Sequence, residues 1–230
     1  MHLAKPRIDI GLSTNDLAPM LAFWQGEAGV PFDHLLKIRQ GLDQHRHDAN
    51  GSVVKINHHA EPLTDSPPSG YQALIIARDG LAAPRELADP DGNRLRLAPR
   101  GADGVTQVGV RMIVRDIAAH RAFYRDGLGL TEEPTTAAAA AFRAGESLIL
   151  LDPSPDAPAD AQMAGPGWRY ITFQVFKVDE EHARVLAAGG REALAPVTLG
   201  TTARISMVRD PDGNWIELSQ RASIVGSLSR

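Results

Sequence analysis

The chain has 230 residues, a formal net charge of −4 and a pI near 6.1, with 43% hydrophobic and 23% charged residues. This composition excludes collagen-like and disordered classes, and the charge balance argues against a general nucleic-acid binder. There is no Cys, which removes disulfides, thiolate metal sites and a Cys nucleophile, and makes the 8 His the open question.

The opening segment, MHLAKPRIDIG, carries no long apolar run. No later stretch reaches membrane-spanning length, so the expectation is a cytoplasmic protein without membrane contact. Ile8–Trp24 begins with Ile8, Ile10 and Leu12 alternating with Asp9, Gly11 and Ser13, a strand pattern leading into a helical one. Pro67–Gly70 is a loop. Asp89–Asn93 reads DPDGN, a turn in which Asp-Pro starts the bend and Gly supplies positive φ. Leu95 and Leu97 then alternate with Arg94 and Arg96. Pro99–Gly104 is a Pro/Gly break.

The pattern then repeats. Val108–Tyr124 matches Ile8–Trp24, Gly167-Trp168 matches Gly70-Tyr71, and DPDGN recurs at Asp210–Asn214. The second copy predicts a strand at Val108–Val114 and a helix opened by Asp116 and ended by Gly127 or Gly129. Strands follow near Ala140–Arg143 and Leu148–Leu151, and a loop spans Asp152–Gly167. Next come a strand at Tyr170–Phe176, a helix with Asp179 as N-cap, and strands near Thr202–Arg209 and at Trp215–Ser219. Ala137–Ala141 reads either as a helical turn or as a strand edge. The first copy is shorter by about two dozen residues where the second has that Asp179 helix, so a helix and part of a strand are absent from it. The fold class is α+β: four βαβββ units, the second truncated, in domains 1–100 and 105–222 with a tail at 223–230.

Alternation gives each strand an apolar face for the helices and a polar face. Tyr170, Thr172 and Gln174 share one polar face, Trp215 and Glu217 another, and Gln107 and Arg111 a third. Aromatic residues among these polar groups favour a pocket wall over a solvated surface. Trp168 adds a further aromatic anchor beside Tyr170. In the first copy Arg96 takes the place of Glu217, which suggests an Asp9–Arg96 pair across that groove.

The DPDGNWIEL segment, the Asp116-Ile117 to Phe123-Tyr124 strand–helix entry and Gly127-Leu128-Gly129-Leu130 resemble the vicinal oxygen chelate superfamily. That superfamily includes glyoxalases, bleomycin-resistance proteins and extradiol dioxygenases. The resemblance is tight over Val105–Gln220 and looser over Arg7–Pro99. It implies a divalent metal (Fe, Mn, Zn or Ni) on Glu217, with Gln107 as a second ligand and Tyr170 where another usually stands. It also implies catalysis by Glu217 and Tyr170 on a small oxygen-rich molecule held by Trp215, Trp168, Thr172, Gln174 and Arg111.

The histidines leave two readings open. His45, His47 and one of His58 and His59 make a second metal site, or they form a hydrogen-bonded strand end beside Asn57 and Asp48. His34 lies in the same half, while His120 and His182 fall on predicted helices. Function likewise carries two readings. One is an enzyme of the dioxygenase or lyase type using a metal as Lewis acid. The other is a metal-free binding or sequestering protein with Trp and Tyr anchors. The expected partner is a small molecule, and the expected assembly a monomer or homodimer.

Overall fold

The computed structural model describes residues 1–135, 138–226 and 228. The first unit is β1 (Asp9–Thr14), α1 (Leu17–Ala22), β2 (Phe32–Arg39), β3 (Leu42–Ala49) and β4 (Ser52–His59). The second is β5 (Tyr71–Arg78), β6 (Arg85–Ala88) and β7 (Arg94–Pro99). The third is β8 (Val108–Val114), α2 (Ile117–Ala122), β9 (Thr131–Glu133), β10 (Ala140–Ala144) and β11 (Ser147–Pro153). The fourth is β12 (Gly167–Gln174), α3 (Val178–Ala187), β13 (Arg191–Leu199), β14 (Ala203–Arg209) and β15 (Trp215–Arg221). The truncated second unit therefore lacks a helix, as expected, and a whole strand, the counterpart of β13.

Local chemistry explains these elements. The Asp116 carboxylate accepts from the amides of Ala118 and Ala119 and opens α2 as expected. Both α1 and α2 run on into a π-type turn, Phe23–Glu27 and Phe123–Gly127, which seats Trp24 and Tyr124 in the core. The start of α3 differs from the sequence reading. Lys177 holds the cap position, and Asp179 lies in the first turn, where it pairs with Arg204. Ala137, part of the low-complexity run, and residues 227, 229 and 230 of the tail lie outside the described residues.

The sheets do not follow the copies. One sheet has the order β13-β14-β15-β12-β1-β4-β3-β2 and joins the first unit to the fourth. The other, β6-β7-β5-β8-β11-β10-β9, joins the second to the third. The Pro99–Gly104 break therefore separates units, while each sheet takes strands from both sides of it. The apolar strand faces and the helices share one core, running from Ile10, Ile56 and Phe173 on the first sheet to Ile76, Val110 and Phe142 on the second. Among the described residues no helix is long and apolar enough to cross a membrane.

The second DPDGN turn is tied into this core. Asn214 Oδ1 accepts from Gly70 N at 2.6 Å, and His120 Nε2 lies 3.4 Å from Asp210 Oδ2 and 3.6 Å from Asp212 Oδ2. Burial opposes protonation of His120. The two carboxylates and the Asp116 carbonyl outweigh it and hold the imidazole above its usual 6.5. A raised folded-state value adds stability that is complete below the unfolded-state value and is lost as pH rises through the folded one. The urea midpoint should therefore fall as pH is raised from 6.5, and His120→Gln should flatten that fall. A midpoint series measured at stepped pH checks it.

Candidate functional site

The polar face of the eight-stranded sheet surrounds a cavity of about 260 Å³. Leu36 and Ile38 from one edge of the sheet and Leu199 from the other both line it, so the sheet curls around it. Its floor comes from β1, β4, β12 and β15. Asp9 lies opposite Thr172, Gly11 opposite Lys55, and Thr172 opposite Glu217. Register thus brings Lys55, Thr172 and Glu217 together from strands far apart in sequence.

Lys55 Nζ lies 2.6 Å from Glu217 Oε2 and 2.6 Å from Thr172 Oγ1, which itself donates to the same carboxylate oxygen at 2.6 Å. Burial lowers the Lys55 ammonium below its usual value, and the Glu217 and Asp9 carboxylates limit the fall. Asp9 is buried and accepts from Lys5 Nζ at 2.6 Å, Val53 N at 2.9 Å and Gln174 Nε2 at 3.2 Å. Burial pushes its carboxyl up, but Lys5, Lys55 and these hydrogen bonds outweigh that and hold it below the usual range.

Tyr170 lies flat over the backbone of Gly11, where any β-carbon would enter its ring, so β1 needs glycine there. Its hydroxyl accepts from Gln44 Nε2 and Asn57 Nδ2, each at 3.3 Å. Burial, then the Glu217 charge, raises the phenol well above its usual value and keeps it protonated. Arg46, beside Lys55 on the neighbouring strand, donates to Gln44 Oε1 at 2.7 Å.

Of the residues singled out from sequence, Glu217, Tyr170, Thr172 and Gln174 come together on this floor. Others go elsewhere. Between Gly11 and Leu12 the register to β12 slips by one residue at Arg169. That bulge turns Trp168 away from the cavity and into the core, edge-on to Trp24 at 5.8 Å. Trp215 sits at the strand end, donating to Ala161 O at 2.8 Å beneath the Arg209 guanidinium. Arg111 pairs with Asp152 on the other sheet. Gln107 is on that side too, next to Arg100, and cannot share a ligand set with Glu217. The strand facing β12 is β1, from the opposite copy. The Asp9–Arg96 pair does not form either. Arg96 is bound to Glu86 and Asp103, and Asp9 to Lys5.

The histidine cluster is split by the pleat of its strands. His45 and His47 lie on the side of β3 opposite Gln44 and Arg46, against the Phe32 ring. His59 lines the cavity, and His58 alternates away from it. Burial holds His45, His47 and His59 below the usual imidazole value. Among the described residues no group of three or more His, Asp or Glu is placed to hold a metal ion.

The other sheet carries the same four floor positions with different residues: Gly109, Leu150, Ile75 and Arg96. Val105, fully buried, fills that face with Ile75, Ala77, Ala98, Ala141 and Leu148, using the space left by Gly109. The open face is the one built from the first and last units.

The fold defines a class. Residues 106–218 match the model of the Glyoxalase/Bleomycin resistance protein/Dioxygenase superfamily. The whole chain resembles the vicinal oxygen chelate proteins in fold, and its second half belongs to that superfamily. Glyoxalase I from Zea mays is similar at 15% identity and TM-score 0.76, over 96% of this chain and 95% of that one. A putative dioxygenase from Bacillus subtilis subsp. subtilis str. 168 is similar at 12% identity and TM-score 0.69, over 96% and 85%. At these identities the likeness is one of fold. Comparison with curated proteins gives no match.

The metal implied by the resemblance does not fit these residues. One oxygen of Glu217, Oε2, already receives both the Lys55 ammonium and the Thr172 hydroxyl. An ammonium has no lone pair for a metal and repels one at that distance. Removing the ammonium leaves buried carboxylate unpaired, so Lys55→Met should destabilise the fold by about 3–5 kcal/mol. Adding Glu217→Leu should recover part of that loss. A double-mutant cycle in urea gives both values.

Proposed function

We propose that this protein binds a small oxygen-rich molecule in the cavity of its eight-stranded sheet through fixed protein groups, without a divalent metal. The observation that carries this reading is the Lys55 ammonium, 2.6 Å from Glu217 Oε2. It supplies, covalently, the positive charge that a bound cation would bring to the same carboxylate. Lys55 and Thr172 hold Glu217 in place, and Tyr170 offers a neutral hydroxyl to the ligand. The apolar walls exclude water and strengthen these polar contacts. The reading sides with binding over metal-assisted catalysis.

Protein purified without chelator should carry no stoichiometric divalent ion by elemental analysis. Its thermal midpoint should not move with EDTA or with added Mn²⁺, Ni²⁺ or Zn²⁺. Lys55→Glu, which replaces the cation by a third carboxylate near Asp9 and Glu217, should gain a midpoint that rises with added divalent ion. A stoichiometric ion lost on Glu217→Gln in the unaltered protein would end the reading.

A further inference from the structure

The cavity is unevenly charged. Arg39, Arg46, Lys55 and Arg221 line it against a single carboxylate, Glu217, in a chain whose formal net charge is −4. Lys55 is matched by Glu217. Arg39, Arg46 and Arg221 have no carboxylate within ion-pair distance among the described residues; Arg39 is exposed, and the other two are withdrawn from solvent.

Arg46 is the more telling of the two. It is 6% exposed, and its one hydrogen bond among the described residues goes to the amide oxygen of Gln44. Its Nε is buried and without a partner. A guanidinium removed from water with open donors is costly to keep unless something accepts from it. Arg221 stands near it. Burial and then the Arg46 charge press Arg221 below the usual arginine value, against the pull of Glu217 and Asp9.

Tyr170 adds a third donor. Its oxygen is occupied by the Gln44 and Asn57 amides, and its own proton meets no acceptor among the described residues. Among the described residues the open donors withdrawn from solvent here are the Arg46 and Arg221 guanidiniums and the Tyr170 hydroxyl, and they outnumber the one buried open acceptor, Gln174 Oε1. Around them the wall is apolar, formed by Leu36, Leu42, Ile205 and Met207.

We propose that the cavity receives an organic oxyanion, a carboxylate or phosphate monoester on a small apolar body, with its head bound by Arg46, Arg221 and the Tyr170 hydroxyl. This rests on the binding reading above and names the class of ligand. Guanidinium forks match the planar or tetrahedral oxyanion in geometry as well as charge. The apolar body displaces water from the walls.

Calorimetric titration with octanoate and octyl phosphate, against octanol and octylamine as probes of equal chain length, tests it. Both anions, or one of them, should bind about tenfold or more tighter than octanol, and octylamine weakest. The tighter anion identifies the head group. Arg46→Met and Arg221→Met should each remove most of the anion's advantage over octanol, both probes being titrated into the same variant, with circular dichroism reporting that the variants are folded. Affinities for octanoate and octyl phosphate that both fall no higher than that for octanol, or no binding by either anion, overturn the oxyanion inference and leave the metal-free pocket standing. Anion binding that requires Zn²⁺ or Ni²⁺ and is abolished by EDTA instead overturns the metal-free reading.

Discussion

Strand β1 lies between β12 and β4, antiparallel to the first and parallel to the second. Through it the first and last quarters of the chain become a single sheet. Everything at the site depends on that placement. Gly11 admits the Tyr170 ring, Asp9 faces Thr172, and Lys55 reaches Glu217 over 162 positions of sequence. Without β1 in the middle, Glu217 would keep its strand and lose its partner.

The charge arrangement follows from burial. A carboxylate at the floor of a curved sheet and largely out of water needs compensation, because desolvation there costs more than weak surface pairing can return. Fold relatives with other residues at these positions can meet that need differently. Here the compensation is an amine anchored to β4, at fixed distance and present in every molecule. Because Lys55 is matched to Glu217, the surplus charge of the cavity falls to the exposed Arg39 and, away from solvent, to Arg46 and Arg221. An apolar wall, a Lys55–Glu217 pair on the floor and unmatched guanidiniums above it suit the pocket to an amphipathic anion.

The two sheets show how one duplicated plan diverged. Counterpart positions carry Asp9, Lys55, Thr172 and Glu217 on one sheet and Gly109, Leu150, Ile75 and Arg96 on the other. The second face has no polar floor, and the segment between β7 and β8 lies on it, Val105 closing it with apolar packing. The helix and strand absent from the second unit are absent from the same sheet. Arg169 serves the open one. Buried and lowered to about 10 by desolvation, it binds carbonyls of Pro67 and Gln162, residues of the two loops at the cavity's end.

Sequence alone determined what local chemistry controls. The alternation in β15, the Asp116 cap, the paired DPDGN turns and the missing helix all depend on neighbours a few residues apart. The α+β repeat and the polar strand faces that carry Glu217 and Tyr170 could therefore be read directly. The Lys55-Ile56-Asn57 alternation within β4 was also there to be read, but the adjacent histidines drew the chemistry toward themselves. Only the tertiary structure decided which strands meet. That choice put Gln107 and Arg111 on the side of the other sheet, and one bulge at Arg169 sent Trp168 into the core. Strand pairing across the whole chain is a global balance of core packing and register, and no single segment carries its partner's address. The 8 histidines looked like ligands because most of them cluster in sequence. The pleat sent them to opposite faces, and the cation at the centre of the site is a lysine.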